Sequence, residues 1–272
     1  MTDATPAARQ SSLFPAMEDV TVYEQPLNER VRAFLRLEHL FDVVCHCING
    51  PSIWESRAAL AGLIEINDLL SRFDLKAELI KELERHANVI AGLQQNPGVD
   101  PVRLREVLDE ISELLTTLRG GGCQPAQLLR KDELVYAIKQ RLAIPGGTCN
   151  FDLPAYHFWL SRPARERVEH LHYWFNDMRI IKDGVDLALS MVRDSATPSV
   201  VTAVAGFYQQ PVDPNAVCQL VRVILPSELS VFPEISGGKH RFTIRFLEQA
   251  TTAGRPAQTD QDIQFELQCC NL

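Results

Sequence analysis

Residues Ser236-Gly-Gly-Lys-His-Arg-Phe-Thr-Ile-Arg-Phe246 carry the reading that decides the fold. A glycine pair, Gly237 and Gly238, leads into a stretch where charge and apolarity alternate. Lys239, Arg241 and Arg245 fall on odd positions; Phe242, Ile244 and Phe246 fall on even ones. Side chains along a strand point to opposite faces in turn, so the cations share one face and the apolar groups the other. A strand of this kind presses Phe242, Ile244 and Phe246 into a core and turns a row of positive charge outward. Like charges on one strand face repel unless the surface has a use. In a chain of net charge -8, that concentration points to a docking surface for something acidic.

Short strands are expected on either side of it. Val200, Val201, Val204, Phe207 and Tyr208 are strand-type residues, as are the runs at 217–225, 241–247 and 263–269. Pro211, Pro214, Pro226, Pro233 and Gly254 punctuate them. Four short strands with tight connections read as an antiparallel unit. Upstream of Thr197-Pro198 the period changes to helical. Asn28 is placed to cap a first helix, in which Val31, Phe34, Leu35, Phe41, Val44 and Cys45 recur at helical spacing up to Asn49-Gly50-Pro51. Further helices are expected at about 53–72, 75–93, 100–118, 131–142, 155–160, 164–175 and 176–195. Asn96-Pro97-Gly98, Gly120-Gly121-Gly122 and the connector 144–154 separate some of them. Helices near 20 residues long, joined by short turns, fit antiparallel packing. The fold class is therefore α+β. An N-terminal α-helical, bundle-like domain at 22–197 precedes a smaller antiparallel β domain at 198–272. Residues 1–21, rich in Ala, Thr, Ser and Pro, read as a disordered tail.

Bulk properties narrow the partners. The 272 residues are 46% hydrophobic and 23% charged, enough for a core. The acidic balance argues against non-specific nucleic-acid binding. No apolar run reaches the roughly 20 residues of a membrane span, and the start lacks the features of an export signal. Reduced thiols are expected for the seven cysteines, and a cytoplasmic location for the chain.

Enzyme signatures are missing: there is no GxSxG, GxxxxGK[ST] or HExxH, and no GxGxxG after a strand. The pairs Gly146-Gly147 and Gly237-Gly238 read as turns. On a helix, Cys45, His46 and Cys47 point in different directions and cannot converge on one metal ion, and His170 and His172 diverge likewise. Phe158, Trp159, Tyr173, Trp174 and Phe175 read as core packing. Arg32 and Arg36, four apart, share a helical face. Arg130 and Lys131 open a later helix, which Lys139 and Arg141 close. No catalytic residue, metal ligand or cofactor is expected.

Several separated motifs resemble the ZapD family of bacterial cell-division factors. They are Pro26-Leu-Asn-Glu-Arg-Val-Arg-Ala-Phe-Leu-Arg-Leu-Glu38, the connector from Arg141 through Pro145-Gly146-Gly147 to His157, Gly206-Phe-Tyr-Gln209, Ile235 to Phe246, and Phe265-Glu-Leu-Gln-Cys-Cys270. The resemblance runs from about residue 22 to 270, in order and with similar spacing. It implies a cytoplasmic, non-enzymatic homodimer, joined through the helical domain and working at the division ring. It further implies binding to the C-terminal tail of the tubulin-like protein FtsZ, and bundling of FtsZ filaments. The matched tail-site positions are Arg32, Arg36, His157, Lys239, Arg241 and Arg245, with Arg130 and Arg141 as further basic candidates. Glu133 stands where the family pattern leads one to expect an arginine; Arg130 or Lys131 could supply that charge. A reading from another class, an enzyme or sensor holding a nucleotide or phosphate in the same patch with His157 as acid or base, lacks a nucleophile with a partner and a phosphate loop.

Overall fold

In the computed structural model, the described residues are 20–72, 74–93, 100–212, 218–238, 241–249 and 251–272. Most of the expected tail, the Asn96-Pro97-Gly98 stop and Lys239 lie outside them. The chain divides into two compact units. One, helical, holds residues 26–196 with 218–220 and 270–272; the other, of strands, holds 20–25, 197–212 and most of 221–269. The α+β class stands, helices preceding antiparallel sheets.

In the helical unit, α1 (Glu29–Cys47) starts where Asn28 accepts a hydrogen bond from the Val31 amide at 2.8 Å. Its buried residues Val31, Phe34, Leu37, Phe41 and Val44 follow the three-and-four spacing of one helical face. It packs on α2 (Ile53–Arg72) so closely that a Cβ on Gly62 would stand 2.7 Å from Val44 Cγ2. The next helix, α3 (Leu75–Gly92), is capped by Asp74, and α4 (Pro101–Arg119) by Asp100 with proline in the first turn.

The helix expected at 131–142 is α6 (Glu133–Leu142), and a further short helix, α5 (Gln127–Arg130), precedes it, so that Arg130 and Lys131 end α5 and do not open α6. Asp132 accepts from the Leu134 and Val135 amides at 2.9 and 3.1 Å, so it starts a new helix rather than continuing the old one. Beyond the connector come α7 (Pro154–Leu160), α8 (Ala164–Phe175) and α9 (Arg179–Asp194). The last of these runs against α3, where a Cβ on Gly184 would meet Leu79 Cδ2 at 2.9 Å. Arg167, 4% exposed, donates to Ser56 Oγ at 3.0 Å and to the Pro51 and Leu160 carbonyls at 2.7 and 3.3 Å, tying the α1–α2 turn to α8. No helix among the described residues is long and apolar enough to cross a membrane.

The aromatic group needs correction. Trp159, Trp174 and Phe175 are buried, but Phe158 and Tyr173 are 65% and 56% exposed. In α7 the inward positions are Tyr156, Trp159 and Leu160, which leaves residue 158 on the far side of a short helix. The same geometry turns Tyr173 away from Leu171, Trp174 and Phe175 in α8.

In the strand unit, β1 (Val20–Pro26), β4 (Leu220–Pro226), β8 (Ile263–Cys270) and β2 (Ser199–Ala203) form one sheet in that order. β3 (Phe207–Pro211), β6 (Arg241–Glu248) and β5 (Val231–Gly237) form a second, with the two-residue β7 (Ala257–Gln258) beside β6. Phe265 of β8 meets Phe246 and Tyr208 of the second sheet at ring centroid distances of 5.0 and 5.5 Å, so the sheets pack face to face through aromatic side chains. The turn from β2 to β3 uses Ala205 and Gly206, both at positive φ. A Cβ on Gly206 would lie 2.6 Å from the Thr259 carbonyl oxygen, so glycine is required there.

Three strands go beyond the sequence expectation, β1, β5 and β7, and the one expected from Val200 to Tyr208 is two, β2 and β3, divided by the Ala205-Gly206 turn. Pro233 reads as punctuation but sits inside β5, which is an edge strand of its sheet. An edge leaves one row of amides unpaired, so a residue without an N–H is tolerated there.

Candidate partner-binding site

β6 behaves as its alternation requires. Phe242, Ile244 and Phe246 are 0–1% exposed, while Arg241 and Arg245 face solvent. The strand lies between β3 and β5, so its backbone is held on both sides and its outward face is fixed. On β3, Pro211 pairs with Arg241, Gln209 with Thr243 and Phe207 with Arg245. On β5, Ser236 pairs with Thr243 and Glu234 with Arg245. Directly paired residues share a face. The outward surface therefore combines two guanidinium groups with the 42%-exposed ring of Phe207, Pro211 and small polar groups. Such a surface suits a peptide carrying carboxylates and some apolar area.

The two arginines are not equivalent. Arg245 is ion-paired with Glu234 across the β5–β6 hairpin. Arg241 makes no ion pair among the described residues, and its pairing partner on β3 is a proline. Glu234 is thus a residue of this face that the sequence reading missed. The hairpin itself was the available signal: pairing outward from the glycine turn sets the acid opposite Arg245.

The other sequence candidates belong to the helical unit. Arg32 lies on α1 with Nε 3.2 Å from Glu29 Oε1, and Arg36 is exposed one turn on. Arg130 ends α5, exposed, with Nη1 3.4 Å from Asn67 Oδ1. Arg141, near the end of α6, has Nη1 3.3 Å from Asp152 Oδ1, which braces the connector. Cys149 Sγ lies 3.2 Å from the other Asp152 oxygen. His157 is exposed on α7. Glu133 is the first residue of α6, where the partial positive charge of the helix N-terminus favours an acid; that local reason accounts for its place. Among the described residues, no group of three or more His, Cys, Asp or Glu side chains could hold a metal ion, and Cys45, Cys47, Cys123 and Cys149 are free thiols.

Comparison with known proteins gives this arrangement its setting. The family model for ZapD, described as a cell division protein, matches residues 35–245. The chain is 43% identical over 256 residues to the cell division protein ZapD of Methylococcus capsulatus, covering 94% of this chain and 100% of that one. It is 40% identical over 250 residues to the ZapD of an Azoarcus species, covering 92% and 99%. With the ZapD of Coxiella burnetii it shares 35% identity over 251 residues, covering 92% and 97%. A family match across most of the chain and relatives aligned almost end to end leave no large segment unaccounted for, and the chain belongs to the ZapD family of cell-division proteins.

Proposed function

We propose that the protein is a cytoplasmic adaptor of the division ring that binds the C-terminal tail of FtsZ and, as a homodimer, crosslinks FtsZ filaments into bundles that promote septation. The observation that carries this reading is the β6 face. Two exposed arginines stand on a strand locked into a core in an otherwise acidic chain of a cell-division family. Arg241 and Arg245 are its central contacts, with Lys239 beside them in sequence. Arg32, Arg36, Arg130, Arg141 and His157 are the helical candidates for the same partner. Arginine forks match carboxylates, and Phe207 offers apolar contact to a mixed peptide.

A short flexible tail loses conformational freedom on binding, so a single site is expected to be weak or moderate. Two sites on one dimer facing a polymer that displays many tails turn weak contacts into firm crosslinking. Dimerisation is thus part of the mechanism, and no catalytic step is assigned.

Co-sedimentation with assembled FtsZ, with and without its C-terminal tail, tests the reading. Pelleting with intact filaments and loss of pelleting with tail-less filaments are expected. Equal pelleting with both would place the contact elsewhere on FtsZ.

A further inference from the structure

A second basic site lies in the helical unit, and none of its residues belongs to the face described above. A cleft of about 490 Å³ is lined by Asn28, Arg30, Arg85, Gln219, Asn271 and Leu272. Clefts of this size hold small organic ligands. Its charged groups come from α1 and α3. Arg30 Nη2 lies 3.0 Å from Glu82 Oε2, and Arg85 holds the same carboxylate with both Nε and Nη2, at 3.1 and 2.5 Å. Two guanidinium groups thus share one carboxylate, an excess of one positive charge within these three side chains.

The geometry separates the acid from the opening. The Glu82 side chain is 1% exposed, whereas those of Arg30 and Arg85 are 30% and 35% exposed. Glu82 holds the arginines from behind, and they line the open side. Moreover, Arg30 Nε is out of solvent and has no hydrogen-bond partner among the described residues, so Glu82 does not exhaust that fork. An acceptor reaching that nitrogen would relieve the deficit.

Two of the three carboxamides lining the cleft, Asn28 and Gln219, are already engaged. Asn28 Oδ1 caps α1, Asn28 Nδ2 donates to Gln219 Oε1 at 3.3 Å, and Gln219 Nε2 donates to the Leu272 carbonyl. They fix the wall, and the recognition capacity that remains is that of the arginines with the exposed Asn271 carboxamide beside them. Half-buried arginine pairs facing a cleft recognise oxyanions through charge-assisted, forked hydrogen bonds.

We infer that the Arg30–Arg85 cleft binds a small molecule through an oxyanion, a phosphate or carboxylate group held between the two guanidinium groups. The site requires neither the FtsZ tail nor a filament, and its test uses neither.

The experiment is calorimetric titration of the full chain with inorganic phosphate, adenosine monophosphate and succinate, each against sodium chloride at matched ionic strength. Saturable binding of at least one is expected, with a dissociation constant on the order of 1 mM or tighter. Which of the three binds best identifies the anion and shows whether the rest of the cleft contributes. Arg85→Lys keeps the charge beside Glu82 but loses the fork, and is expected to weaken binding about tenfold. Asn271→Trp, at an exposed position lining the cleft, fills it while leaving the arginine–glutamate contacts in place. It is expected to abolish binding even if the lysine variant folds poorly. No saturation by any of the three anions, or saturation unchanged in Asn271→Trp, overturns the inference.

Discussion

Arginine meets glutamate in both units, with opposite consequences. In the strand unit the Arg245–Glu234 pair lies on a sheet surface, with side chains 52% and 49% exposed. In the helical unit Glu82 is 1% exposed and takes Arg30 and Arg85 together, with His86 Nε2 3.1 Å away. Water screens the first pair and competes for both partners, so breaking it costs little. The second carboxylate has surrendered its water and depends on its protein partners. The same two residue types thus give an exchangeable contact on one face and a structural brace inside the other unit.

The largest expected effect comes from removing the brace. Burial alone would raise the Glu82 pKa. The close approach of His86 and the forked hydrogen bonds from Arg85 more than offset burial and hold it down, from the usual 4.5 to about 2. A carboxylate whose folded pKa is depressed contributes stability fully above its unfolded value and loses it as pH falls through the folded one. Glu82→Gln is therefore expected to cost about 3 kcal/mol at neutral pH. That gap from the native chain should shrink progressively between about pH 4.5 and pH 2. Urea unfolding of both chains at neutral pH and near pH 3 measures it, and the other carboxylates cancel in the comparison. A gap that stayed constant with pH would show that Glu82 acts through packing and not through its charge.

On the exposed face the effect falls on binding and not on folding. Arg241 has no acid opposite it and is free to take a ligand carboxylate. Arg241→Glu is expected to leave the melting temperature nearly unchanged and to weaken a peptide copying the FtsZ tail about tenfold. Binding by the native chain should weaken as salt rises, because the contacts are exposed. Undiminished affinity of a folded Arg241→Glu chain for the peptide would remove Arg241 from the docking site.

The same contrast explains what was legible in the sequence. Alternation in 241–246 and three-and-four spacing in α1 report burial directly, so the strand, the helix and most of their inward faces could be read; Cys45, counted with the α1 stripe, is exposed, and Leu37, left out of it, is fully buried. Asn28, Asp100 and the glycine turns marked ends because their side chains or dihedrals satisfy local backbone needs. Long-range pairing left no such mark. β1 is exposed over its first three residues, and what places it is its pairing with β4, to which the ion pair of Glu24 with Arg222, 198 positions away, adds. Glu82 looked like any surface acid on a helix, because nothing local distinguishes it from Glu78 or Glu84. Only the packed unit shows that Arg30, fifty-two positions earlier, reaches it. The candidate cations were legible as charges, and helix and hairpin spacing carried the signal that sets Glu29 by Arg32 and Glu234 by Arg245, whereas nothing in the spacing marked the contact of Arg141 with Asp152.

The smallest effect is also the one that best separates the two pairs. If Glu234 only occupies Arg245 until an acidic ligand arrives, removing its charge should help binding. Glu234→Gln is expected to change stability by less than about 1 kcal/mol, since both side chains are half exposed. It should raise tail-peptide affinity by about two- to fivefold at low salt, because the ligand no longer competes with a neighbouring carboxylate. The gain should disappear in an Arg245→Ala background, where there is no guanidinium left to release. A gain that persisted without Arg245 would mean that Glu234 repels the ligand through the general field of the face. No gain in either background would mean that tail binding does not use this strand position, leaving Arg241 to carry the face alone.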